Sequence, residues 1–140
     1  MRYVTIDPTR TAVKVIDADN HPSAVEAAGL EIGQVDHGVI ERDPFTGIGV
    51  SICVYEYSLF VPADAQKYFA INGKLYGGKA LLYAFDEKGE TIDLTRVPDV
   101  FFFGSARAVE MAIAAGQIER PRSATLGWEW PQPKPEYFNR

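Results

Sequence analysis

Apolar and polar residues alternate with a period of two in short runs, at Tyr3–Asp7, Ala12–Ile16 and Ile48–Tyr57. That is the pattern of strands with one buried face. Val4 and Ile6 alternate with Tyr3, Thr5 and Asp7 until Pro8 stops the run, and Ala12–Ile16 resumes it. Two short strands joined by a turn at Asp7-Pro8-Thr9-Arg10 follow. Ser23 is placed to cap a short helix that Gly29 ends, with Val25, Ala28 and Gly29 or Leu30 on its inner face. Val35–Arg42 and Ile48–Tyr57 flank the loop Asp43-Pro44-Phe45-Thr46-Gly47 and predict a hairpin. In its second strand Val50, Ile52 and Val54 share one face, and Ser51, Cys53 and Tyr55 share the other. The mixed face calls for partial cover by a helix.

Pro62–Phe69 reads as one or two helical turns. Residues 68–94 read as the central hairpin of an antiparallel sheet, with turn signals at Asn72-Gly73 and Asp86-Glu87-Lys88-Gly89. Val100–Phe103 is a short apolar strand. Ser105 then caps a helix whose stripe is Val109, Ala112, Ile113 and Gly116. From residue 119 the character changes. Pro121, Pro131, Pro133 and Pro135 stand among Trp128, Trp130, Tyr137 and Phe138, so no helix runs through. The expected fold class is α+β: a single antiparallel or mixed sheet with two or three short helices mainly on one face. Residues 1–118 form one domain. Residues 119–140 form an extended Pro/Trp-rich arm, docked on that domain or on a partner subunit.

A length of 140 residues suits one domain, and 46% hydrophobic residues exclude a disordered chain. The net charge of −5 argues against sequence-independent nucleic-acid binding, which needs a basic surface. One cysteine, Cys53, allows no internal disulfide and no all-cysteine zinc site. No apolar run is long enough to span a bilayer, and no signal peptide is legible at the N-terminus. A cytoplasmic protein without membrane association is expected.

The candidate motifs mostly dissolve. Gly73-x-x-x-x-Gly78-Lys79 is one residue short of a phosphate loop: Ala80 replaces the magnesium-binding hydroxyl, and a strand follows where a helix is needed. Asp17-x-Asp19-x-His21 opens like a calcium loop, but Pro22 and Ala28 occupy the positions of its glycine and glutamate. Asp36 adjoins His37, yet neighbours on a strand point to opposite faces. Cys53 reads as a small buried hydrophobe rather than a nucleophile. Asp86, Glu87, Glu90 and Asp93 read as a solvated face. Gly104-Ser105 is a turn into the last helix. No metal site and no cofactor are expected. The binding candidates are in the arm: Arg120, Arg122, Trp128, Trp130 and Tyr137, of residue types that dominate binding hot spots.

From about Val35 to Leu94 the chain carries a strand pair, then Leu59-Phe60-Val61-Pro62, Phe69-Ala70-Ile71-Asn72-Gly73, Gly77-Gly78-Lys79-Ala80-Leu81-Leu82 and Asp86-Glu87-Lys88-Gly89-Glu90-Thr91. This segment resembles a group of small phage- and plasmid-encoded proteins classed as a domain of unknown function. The resemblance implies a mobile-element accessory protein and no particular chemistry. The favoured function is therefore non-enzymatic contact with a host or self protein, with homo-oligomerisation open. One alternative is a small enzyme or ligand-binding protein with an acidic cleft near the 86–93 hairpin. Another is a nucleic-acid binder using the arginines and tryptophans of the arm.

Overall fold

A computed structural model describes residues 1–10, 12–61, 65–71, 74–97 and 128–129. Two antiparallel strands, β1 (Arg2–Asp7) and β2 (Ala12–Asp17), form the expected first hairpin. Helix α1 spans His21–Ala27. Its cap is Asn20 rather than Ser23: the Asn20 Oδ1 accepts the Ser23 N–H at 2.9 Å. The reason lies in Pro22, which lacks an N–H and fits only the first turn, so the helix begins ahead of it. Gly29, at φ 80°, ends the helix as its sequence position suggests.

The second hairpin is β3 (Val35–Arg42) and β4 (Gly49–Tyr55). A bulge between Val39 and Glu41 shifts its register. Gly49 sits where a side chain would run into the Phe85 ring and the Glu41 carbonyl, so this position admits only glycine without movement. After a 3-10 turn at Ser58–Phe60 come β5 (Tyr68–Ile71), β6 (Lys74–Gly77), β7 (Ala80–Phe85) and β8 (Thr91–Ile92). Tyr68 and Phe69 are strand residues, contrary to the helical reading of Pro62–Phe69. Pairing with β6 decides this, and the Phe69 and Tyr76 rings stack at 5.5 Å. A short strand β9 (Trp128–Glu129) pairs with β5, setting Ile71 opposite Trp128.

The strands divide into two sheets, where the sequence suggests one. The larger runs β2-β1-β7-β4-β3 with β8 beside β7, and the smaller runs β6-β5-β9. The break falls at Gly77-Gly78: β6 ends, Gly78 at φ 78° turns the chain, and β7 starts in the other sheet. Residues 68–77 and 80–92 are thus two hairpins in different sheets. Among the described residues α1 is the one α-helix, and it covers one face of the larger sheet. The helical stripe Val109–Gly116 and the strand Val100–Phe103 lie outside them. No helix of the described residues is long and apolar enough to cross a membrane.

Both faces of the larger sheet are covered. Val4, Ile6, Val50, Ile52, Leu82 and Ala84 pack with Phe69 and Ile71 of the smaller sheet and with Ile92, Leu94 and Val97. On the opposite face Tyr3, Cys53 and Leu81 pack beneath Ala24, Val25 and Ala28 of α1. The alternation read along β4 is the one observed, with Cys53 on the helix side. Strand β7 therefore buries alternate residues on both faces, as a central strand does.

Candidate functional site

The helix-covered face brings together three side chains that lie far apart in sequence. Asn20 caps α1 and makes His21 its first residue. His37 stands on β3, at the edge of the larger sheet, directly opposite Cys53 on β4. One ligand atom from each of His21, His37 and Cys53 lies within 4.8 Å of the others. The two imidazole Nε2 atoms are 3.3 Å apart. Tyr83 of β7 closes one side, its ring edge-on to His21 at 4.6 Å and to His37 at 5.9 Å.

The burial of the three is graded. Cys53 is fully buried, His21 is half-buried and His37 is exposed. Burial, and then the nearby His37, hold the His21 imidazole below its ordinary pKa, so its neutral form is favoured. Its Nδ1 is buried with no hydrogen-bond partner. Burial, and then the Asp36 carboxylate, push the Cys53 thiol up to about 11, which makes it a poor nucleophile by itself. That agrees with its reading as an unreactive buried residue. These three groups are also the donor types that hold zinc-class ions.

The near-match to a phosphate loop is put to other uses. The Gly78 N–H donates to the Lys67 carbonyl at 2.9 Å, and a strand follows Lys79. The Lys79 side chain instead lies across Gly29 at the end of α1. There it lines a cleft of about 260 Å³ with Asp7, Arg10, Lys14 and Glu26. None of Asp86, Glu87, Glu90 and Asp93 lines that cleft. Asp86 holds its own turn, accepting the N–H groups of Lys88 and Glu90. Asp93 accepts the Arg2 N–H and the Thr95 hydroxyl.

A second surface feature lies at the end of β4. The Tyr55 and Tyr57 rings meet edge-to-face at 5.7 Å, and Tyr57 and Phe60 at 6.4 Å. Phe60 is 83% exposed and Tyr57 53%. Of the residues singled out in the arm, Trp128 is placed by the β9 backbone beside Ile71. Arg120, Arg122, Trp130 and Tyr137 lie outside the described residues.

Sequence reasoning weighed His21 within the Asp17-x-Asp19-x-His21 pattern, His37 beside Asp36, and Cys53 alone. The signal it missed is that the chain's two histidines and its single cysteine all sit on elements meeting at one face. No family model matches this chain, and neither the curated proteins nor the solved structures yield a match.

Proposed function

We propose that this chain is a protein-binding accessory protein of a phage or plasmid, acting by contact rather than by catalysis. The mobile-element origin rests on the resemblance of residues 35–94. The observation that carries the contact is the aromatic row Tyr55-Tyr57-Phe60, in which Phe60 is left 83% exposed and Tyr57 53% beside a part-buried Tyr55. Large aromatic side chains give the most binding energy per residue at protein interfaces, and contiguous apolar surface is where partners dock. The 3-10 turn that carries Phe60 is fastened to the smaller sheet: Gln66 donates to both the Ser58 carbonyl and the Tyr68 hydroxyl. The rings are thus presented from a held turn, which lowers the ordering cost of binding. The net charge of −5 favours a partner with a basic patch.

The test compares the wild-type chain with a Tyr57→Ser, Phe60→Ser double variant as immobilised bait, after nuclease treatment. The reading expects a stoichiometric protein on the wild type that the variant fails to retain. Sedimentation identifies the case in which that protein is a second copy of the chain. Equal retention by both baits, or no protein on either, overturns it.

A further inference from the structure

We propose that His21, His37 and Cys53 form a binding site for a zinc-class divalent ion, these three being its ligands among the described residues, with a fourth position on the side of the exposed His37. The carrying observation is convergence. The sequence contains two histidines and one cysteine, and all three meet within 4.8 Å although they come from α1, β3 and β4. A hydrogen bond between the imidazoles accounts for the histidine pair; it does not account for the thiol beside them.

The spacing fits an ion. Two Zn–N bonds of ~2.0–2.1 Å at the tetrahedral angle set the nitrogens ~3.3–3.4 Å apart. The His21 and His37 Nε2 atoms are 3.3 Å apart. A Zn–S bond of ~2.3 Å sets sulfur ~3.6 Å from each nitrogen. All three donors lie within 4.8 Å of one another, so the widest of these separations exceeds that spacing by at most about 1 Å.

The chemistry of the donors selects the ion. Two imidazoles and a thiolate suit zinc, whereas magnesium and calcium require oxygen ligands. The graded burial orients the site. Cys53 is buried under α1 and His37 is exposed at the sheet edge, so the open position faces outward past His37. Tyr83 walls the side toward β7. A bound ion would tie the first residue of α1 to both strands of the β3–β4 hairpin.

The test uses untagged full-length protein stripped with chelator. Zn²⁺ is titrated in competition with a chromophoric chelator, and Co²⁺ is followed by absorbance. One ion should bind per chain. The cobalt form should show the intense visible bands of four-coordination and a thiolate-to-cobalt charge-transfer band. His37→Ala, at an exposed position, should weaken zinc binding by more than the ~100-fold that loss of a supporting contact can cost. Its circular dichroism without metal should match the wild type. Because Cys53 is the only cysteine, zinc should also slow thiol alkylation of the wild-type protein, a readout that does not depend on folding of a Cys53 variant. Equal zinc affinity in wild type and His37→Ala, a cobalt spectrum without the charge-transfer band, or alkylation unaffected by zinc overturns the proposal.

Discussion

The Lys79 side chain lies so close over Gly29 that a Cβ at residue 29 would stand 3.0 Å from the Lys79 Cδ. The lysine that ends the glycine-rich Gly73–Lys79 segment is thus directed to the C-terminal end of α1, where the exposed carbonyls of a helix favour a cation. Calorimetric titration with ATP or GTP and magnesium should show no heat of binding to this segment. Micromolar affinity abolished by Lys79→Ala would refute this.

The same contact makes Gly29→Ala costly. Residue 29 has φ 80°, where a Cβ is strained, and the added methyl also displaces Lys79. A loss above ~1 kcal/mol is expected from urea denaturation, with no loss of helix content.

Leu82 belongs to the larger core, which includes Phe69 and Ile71 of the smaller sheet, and is fully buried. Leu82→Ala should cost about 2–5 kcal/mol, through lost transfer energy and the cavity left behind. Val39→Ala, at a position 62% exposed on the edge strand, should stay within ~0.5 kcal/mol. Equal shifts in the two denaturation midpoints would place the core wrongly.

Acid should unfold the protein partly through two aspartates. The N–H of Phe45 first, and then the Thr46 hydroxyl, hold the Asp43 carboxyl below its ordinary value of 3.8. Burial raises the Asp93 carboxyl, but the Thr95 hydroxyl, the Arg2 N–H, the N-terminal ammonium and Arg2 together outweigh it and bring it down. A carboxyl lowered in the fold adds stability that is complete above its unfolded value of ~3.9. That stability is lost as pH falls through the folded value. Wild-type urea midpoints should therefore drop between about pH 5 and pH 2, and Asp43→Asn should flatten part of that drop.

The strand β9 completes the smaller sheet through Trp128 and Glu129. A chain ending at Leu126 leaves the outer edge of β5 without that partner, so its melting temperature should fall. Unchanged melting and unchanged sedimentation mass would show that this pairing adds nothing to stability.

Much of the larger sheet was legible because alternation and turn residues agree. Asp7-Pro8-Thr9-Arg10, Asp43–Gly47 and Asp86–Gly89 all join strands as their composition suggests. The split into two sheets was not, because a Gly-Gly pair marks a turn without saying which sheet the next strand joins. The ligand cluster was hidden by the bulge. Arg42 faces Gly49 and Glu41 faces Val50, and that register carried on unbroken would set His37 opposite Val54. The shift between Val39 and Glu41 brings His37 to Cys53 instead, and sequence alternation does not reveal such an inserted residue.

The placement of β7 between β1 and β4 has a consequence for the order of events during synthesis. The β1–β2 and β3–β4 hairpins precede β7 in the chain, yet the sheet order gives them no edge in common. Among the described residues Ala80–Phe85 is what joins them, pairing with Val4–Ile6 on one side and with Gly49–Val54 on the other. Without that segment the two hairpins share no strand pairing, and each keeps an open edge toward the missing strand. In synthesis from the N-terminal side, the larger sheet can therefore close only once its middle strand is present.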